Sequence, residues 1–361
     1  MMQTTPSHAV QVIAEAGVNH NGQRELAFAL VDAAAAAGAD VVKFQTFDAA
    51  KLTARSAPKA DYQKLTTDAH ESQLDMLRKL ELPREWHFEL QAHARSLGIE
   101  FLSTAFDADS LDFLGSLDMP LLKIPSGEVT NAPLVWRFAA TGKPLILSTG
   151  MATLAEVEMA LAVIAHALEG CAEPASLDAV WRGWSRPEAR ARLRGRVTLL
   201  HCTSRYPTPF SEVNLLAMDT LRAAFGLDVG YSDHTEGTVI PLAAVARGAR
   251  VIEKHFTLDR GLPGPDHKAS LEPEEFTRMV RDIRALEVAF GDGMKAPQPG
   301  EWDTRMAARQ QVIAARPIAQ GTILSRLDLS TARCGGGLPP GDLWALVGTR
   351  AVRSYEAGEA I

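Results

Sequence analysis

The 361-residue chain is poor in cysteine: Cys171, Cys202 and Cys334 stand far apart, with no CxxC pair. So sparse and odd a set excludes a disulfide framework and a zinc knuckle. Positive charge is also short, with 37 Lys and Arg against 44 Asp and Glu, for a net charge of −7. Neither nucleic acid nor an anionic membrane is therefore an expected partner. No apolar run approaches the ~18 residues of a membrane span. The opening MMQTTPSHAV has no basic leader with an apolar core, so no signal peptide is read there and a reduced, cytoplasmic setting is expected. No GxGxxG follows any apolar run, which weakens the case for a Rossmann-like sheet.

What is present is an alternation. Hydrophobic residues make up 46% of the chain and charged ones 22%, the proportions of an ordinary globular protein, and the length predicts two domains. Eight short runs are apolar on both faces, as buried parallel strands are: 9–17, 39–45, 99–106, 120–127, 143–150, 196–204, 227–234 and 249–256. Amphipathic stretches lie between them, several ending in Gly shortly before the next run. This α/β pattern predicts a (β/α)8 TIM barrel. Residues 169–195 lengthen the sixth unit and read as an added surface helix or loop. The expected domains are a catalytic barrel over 1–294, a Pro/Gly-containing linker over 295–304 and a small, mostly β module over 305–361. In that module VIAARPIAQGTILSRLDL and RAVRSYEAGEAI form a weak repeat whose second copy stops early. The module reads as too small and too poor in large apolar groups for a firm core of its own.

The position of the polar residues points to chemistry. Nearly every run ends in one: Glu15, Lys43, Thr104, Lys123 with Ser126, Ser148, Ser232 to His234, and His255. In a (β/α)8 barrel these ends meet at one mouth, where catalytic groups belong. Lys43 and Lys123 can receive a compact anion despite the acidic whole, and the KIPSGE and STGM segments offer hydroxyls and backbone N–H groups to cradle a phosphate. The alternative is structural pairing of those lysines with Asp48 or Glu128. His234 and His255 close neighbouring strands, where two neutral imidazoles can hold a divalent metal with positions left open. Glu15 and Asp266, the latter in GPDHKAS, are placed to complete or support that site.

Taken together, IAEAGVNHNG, VKFQTF, FLSTAFD, KIPSGE, LSTGMAT, LHCTSRYPTPFSEVNL, VGYSDHTEG, VIEKHFTLDR and GPDHKASL resemble, in order, the N-acetylneuraminate (sialic acid) synthase family. The likeness covers residues from about 10 to about 290, and the tail more loosely resembles that family's antifreeze-like (SAF) domain. The resemblance implies a transferase that joins C3 of phosphoenolpyruvate to the aldehyde carbon of N-acetylmannosamine or a related acylamino sugar, releasing phosphate by C–O cleavage. Legionaminate or pseudaminate synthesis is the variant of the same chemistry. It implies Mn²⁺ or Mg²⁺ on His234 and His255, acting as a Lewis acid on the aldehyde oxygen. Lys43 and Thr104 match contacts to the substrate carboxylate, and Lys123, Ser126, Ser148, Gly150 and Ser232 contacts to its phosphate. Glu15 matches a glutamate near the metal and C2, while Asp266 and Tyr206 face the sugar. Arg333 matches an arginine that reaches the sugar's acyl group from a partner's SAF domain, in a domain-swapped homodimer. Cys334 and Gly335 follow it where the family usually has Pro-Gly, and MAARQQ lacks an aromatic residue some members carry; both departures bear on sugar contacts. Two other readings are a metal-dependent pyruvate aldolase, separable by phosphate release, and a carbohydrate-binding module, which leaves the polar strand ends without a purpose.

Overall fold

Strands form at all eight apolar runs: β1 (Gln11–Gly17), β2 (Val41–Thr46), β3 (Glu100–Ala105), β4 (Leu122–Ile124), β5 (Leu145–Ser148), β6 (Val197–Cys202), β7 (Asp228–Asp233) and β8 (Val251–His255). The structure is a computed structural model and describes residues 9–361 apart from 55, 61, 62, 65, 66, 69 and 70. The strands make one parallel sheet in the order β3-β2-β1-β8-β7-β6-β5-β4. β3 packs beside β4 with no ladder between them among the described residues, and this contact brings the two edges of the sheet together in the expected (β/α)8 barrel. Helices α1 (Arg24–Ala36), α2 (Arg84–Ser96), α3 (Ala108–Leu114), α4 (Ala132–Ala140), α5 (Leu154–Leu168), α6 (Ala217–Phe225), α7 (Val239–Ala246) and α8 (Pro273–Ala289) follow the strands in turn. Gly38 at φ +81° and Gly248 at φ +86° reverse the chain from helix to strand in a conformation that other residues rarely adopt.

The strands are buried on both faces, which is why their sequences read as continuous apolar runs. Val41, Val42 and Phe44 are fully enclosed, and so is the charged Lys43 between them. Register decides what meets at the strand ends. Glu15 is paired with Lys43 on one side and His255 on the other, and Ser232 with Cys202 and Glu253. Residues 169–195 form two short helices, Leu177–Trp184 and Pro187–Ala191, between α5 and β6. They are more than a surface addition. Val180, Trp184 and Ala189 are buried in the barrel's hydrophobic core, and the Trp184 indole N–H donates to Glu158 on α5 at 2.9 Å.

The chain divides into two compact units after Phe290. The stretch expected as a linker lies in the second unit and runs into a helix, Trp302–Ala308, entered through a Gln298–Glu301 capping box. Beyond it β9 (Gln311–Ala314) pairs antiparallel with β10 (Leu329–Ala332). The two halves of the sequence repeat pair with each other through Ile313–Ala360, Ile318–Tyr355 and Ile323–Arg350 bridges. That pairing gives the unit the core that composition alone did not predict, with Val312, Ala314, Ile318, Leu324, Leu329, Leu343, Ala351 and Tyr355 buried.

Candidate active site

At the C-terminal ends of the strands lies a cavity of about 320 Å³. Of the residues singled out in the sequence, Glu15, Lys43, Thr104, Lys123, Ser126, Ser148, Tyr206, Ser232, His234 and His255 line it. Gly150 sits immediately behind. Its N–H donates to Ser126 Oγ at 3.0 Å, and a Cβ added there would stand 2.4 Å from Ser204 Oγ and 2.8 Å from Ser126 Oγ. No side chain fits that corner, so its backbone lies close against the hydroxyls. Asp266 lies 3.7 Å from His255 Nδ1. Arg333 is exposed at the end of β10 in the second unit.

The floor of the cavity is a buried network of four charges. Lys43 Nζ stands 2.6 Å from Glu15 Oε2 and 3.5 Å from Glu253 Oε2, and donates to Thr104 Oγ1 at 3.1 Å. Lys123 donates to Glu253 Oε1, which also accepts from Ser232 Oγ at 2.9 Å. Gln45 Nε2 donates to Glu15 Oε1 at 3.0 Å. The lysines thus have carboxylate partners, but these are Glu15 on the neighbouring strand β1 and Glu253 on β8, not Asp48 or Glu128 nearby in sequence. Glu253 was not singled out in the sequence. The signal was there: period-two alternation puts residue 253 on the same face as His255.

Burial raises the Glu15 pKa above the usual carboxylate value, only partly offset by Lys43. Burial works the same way on Glu253, but Lys123 and Lys43 outweigh it and hold that carboxyl below the usual range. Burial opposes the charge of Lys43, yet Glu15 and Glu253 more than compensate and its pKa rises. A protonated, ion-paired lysine is suited to binding an anion and unsuited to forming a Schiff base. Ser148 Oγ is buried with no hydrogen-bond partner among the described residues, as a hydroxyl reserved for a ligand would be.

The two histidines meet as their strands require. Their ring centroids lie 5.2 Å apart, and Tyr206 packs 4.1 Å from the His234 ring and 5.6 Å from that of His255. His234 Nδ1 lies 2.7 Å from the Thr203 carbonyl, which fixes the proton on that nitrogen and leaves the Nε2 lone pair free. Burial lowers the pKa of His255 well below its ordinary value, with His234 adding to the effect. His255 Nδ1 is buried without a hydrogen-bond partner among the described residues. Among the described residues no three His, Cys, Asp or Glu are placed to hold a metal ion together. The protein can therefore supply two imidazole nitrogens, leaving other positions to water or substrate oxygens, a donor set that fits the expected open site.

Burial, followed by the Glu15 charge, pushes the Asp266 carboxyl up to about 7. The sign of the consequence is set by the unfolded chain, which releases this proton near ~3.9. Between there and about 7 the folded protein keeps a proton that the unfolded chain has lost, so stability falls as pH rises through that window. Asp266→Asn is expected to flatten this slope. Melting temperatures from pH 4.5 to 7.5 test it, and parallel curves for parent and variant would refute the assignment.

Comparison with known proteins adds to this geometry. Residues 30–295 match the NeuB family and residues 309–361 the SAF domain. The chain is 47% identical to an N,N'-diacetyllegionaminic acid synthase of Campylobacter jejuni, over 97% of this chain and 98% of the relative. It is 32% identical to the human N-acetylneuraminate-9-phosphate synthase, over 98% of this chain and 92% of that one. Among solved structures it resembles the N-acetylneuraminic acid synthetase of Leptospira borgpetersenii in complex with citrate, at a TM-score of 0.64 and 31% identity, covering 82% of this chain and 90% of the other. With the strand-end residues gathered at one barrel mouth and its relatives synthases of nonulosonic acids, the chain belongs to the NeuB family.

Proposed function

We propose that the protein condenses phosphoenolpyruvate with a 2,4-diacetamido-2,4,6-trideoxy sugar of the mannose type, forming a legionaminate and releasing phosphate by C–O cleavage. The observation that carries the reading is the buried Lys43–Glu15–Glu253–Lys123 network, which sets two ammonium groups at the base of a cavity whose lining also carries hydroxyls and two imidazoles. The choice of sugar leans on the 47% identity to a diacetyllegionaminic acid synthase, well above the 32% to the enzyme making a 9-phosphate. A second feature agrees. Among the described residues lining the cavity, Lys43 and Lys123 are the only lysine or arginine side chains, and this reading assigns both to phosphoenolpyruvate, with no further lysine or arginine among them for a phosphorylated sugar.

In this reading Lys43 and Thr104 receive the substrate carboxylate, and Lys123, Ser126, Ser148, Ser232 and the Gly150 backbone receive its phosphate. The anion displaces carboxylate partners that already hold each lysine in place, so the ammonium groups are oriented before substrate arrives. His234 and His255 would hold a Mn²⁺ or Mg²⁺ ion, which supplies polarisation of the aldehyde oxygen. Glu15, held by Gln45, orients the water that adds at C2 and takes its proton. Tyr206 and Asp266 border the space left for the sugar.

The test is turnover with phosphoenolpyruvate and each candidate sugar, following phosphate and product mass. With ¹⁸O in the bridging position, C–O cleavage sends the label into phosphate. Preference for N-acetylmannosamine would overturn the choice of sugar, and label retained in the organic product would overturn the reaction class, as a pyruvate aldolase would.

The proposal includes a homodimer in which Arg333 of one chain serves the barrel of the other. Mixing Arg333→Ala chains with His255→Ala chains is then expected to restore activity to at most a quarter of the parent's, through heterodimers with one intact site. No recovery after verified subunit exchange would mean that each tail serves its own barrel.

A further inference from the structure

A second ion pair stands behind the two histidines. Asp233 and Lys254 are register partners on β7 and β8, and both side chains are wholly shielded from solvent. Ser232 and Glu253, one residue earlier on each strand, line the cavity, so alternation puts Asp233 and Lys254 on the opposite face, towards the helices. Lys254 Nζ lies 2.6 Å from Asp233 Oδ2 and donates as well to the Thr235 carbonyl. The same carboxylate accepts from the Thr235 backbone N–H at 3.0 Å and from its hydroxyl at 3.1 Å.

These bonds close a ring around one residue. Asp233 and Thr235 flank His234, so a side-chain carboxylate before that histidine and a backbone carbonyl after it are tied to a single ammonium on the neighbouring strand. Two further contacts complete the restraint. The His234 carbonyl accepts from Thr208 N–H at 2.8 Å, and its Nδ1 meets the Thr203 carbonyl at 2.7 Å. A wholly buried ion pair adds little net stability, because desolvation cancels most of its attraction, and apolar replacements are often tolerated. Its effect here is geometrical.

We propose that the buried Asp233–Lys254–Thr235 cluster is a positioning device for His234, fixing the direction of its imidazole from the side of the strand away from substrate. The cluster touches no substrate. It acts through His234, and its consequence for metal binding rests on the reading of His234 and His255 given above.

The test is the double variant Asp233→Asn with Lys254→Met, which removes both charges without stranding one, in the full-length protein. The melting temperature is expected to stay within a few degrees of the parent's. Mn²⁺ affinity, read from the EPR signal of free Mn²⁺ without substrates, is expected to weaken by roughly 10- to 100-fold, the range for groups that orient a metal ligand. The phosphoenolpyruvate KM should move much less than kcat. Parental Mn²⁺ affinity in a folded double variant overturns the proposal. If the parent itself binds no Mn²⁺, the metal reading fails, and the positioning role is decided by the Nδ1–H resonance of His234 in ¹⁵N-histidine-labelled protein. Loss of that slowly exchanging signal in the variant supports the role and its persistence refutes it. Should the double variant not fold, Thr235→Val removes only the hydroxyl contact. A threefold or greater loss of Mn²⁺ affinity at unchanged melting temperature then supports the proposal, and unchanged affinity refutes it.

Discussion

Replacing His255 with Ala is expected to lower kcat/KM for condensation by roughly 10²- to 10⁴-fold and to weaken Mn²⁺ binding while the barrel stays folded. Lewis-acid polarisation contributes several kcal/mol to such a reaction, and each ~1.4 kcal/mol is a factor of ten in rate. The position supports a specific loss. His255 Nδ1 makes no hydrogen bond to the described residues, so its removal breaks no such bond at that atom. His234→Ala should cost as much activity, but it also gives up the contact to the Thr203 carbonyl and should cost more stability. Circular dichroism and thermal melting separate the two effects, and Mn²⁺ EPR reads binding without turnover. Full activity after thorough chelation would sink the metal reading outright. A loss of only 10- to 100-fold from one substitution would instead place that histidine beside the metal, orienting another ligand.

Much of this site was legible in the chain, for a reason that particular residues make plain. Strands buried on both faces can carry a polar residue only where it is used or paired, so Lys43, Lys123 and His255 stood out against apolar surroundings. The eight strands followed from the same contrast. What escaped was pairing across the barrel. Glu253 lies inside VIEKHF, between conspicuous neighbours, and its role depends on Lys43 and Lys123 arriving from β2 and β4. Sequence proximity favoured Asp48 and Glu128 as partners, but barrel closure brings together residues 130 positions apart, as Lys123 and Glu253 are. The core of the second unit escaped for a similar reason, since Tyr355 and Ile318 bury each other only after the two halves of the repeat pair. Lys254 was not singled out in the sequence and Asp233 only within the polar end of β7; their full burial follows only from the helices packed over β7 and β8.

Glu253→Gln is expected to show how much the charge network opposes its own ligand. The substitution keeps the shape of the side chain but leaves Lys43 with Glu15 alone and takes from Lys123 the one carboxylate it is paired with among the described residues. Breaking one side of a buried pair costs about 3–5 kcal/mol, which in a domain of this size lowers the melting temperature by roughly 6–20 °C. The pH dependence has a definite sign. The Glu253 carboxyl is held below its ordinary value in the folded state, so its stabilisation is present above the unfolded value of ~4.3 and is lost as pH falls towards the depressed folded one. Parent and variant melting curves should therefore differ at pH 7 and converge on acidification. Ligand binding should move the other way. With Glu253 no longer competing for Lys123, inorganic phosphate should bind more tightly, by roughly 10- to 150-fold, since a charge-assisted bond contributes about 1.5–3 kcal/mol. Turnover should fall, because Lys123 loses the partner that orients it before substrate arrives. Calorimetric titration with phosphate checks the binding, and kcat with the phosphoenolpyruvate KM the turnover. Weaker phosphate binding in a folded Gln variant would mean that Glu253 holds Lys123 in its binding position and does not compete with the anion, and the displacement step proposed for substrate entry would have to be abandoned.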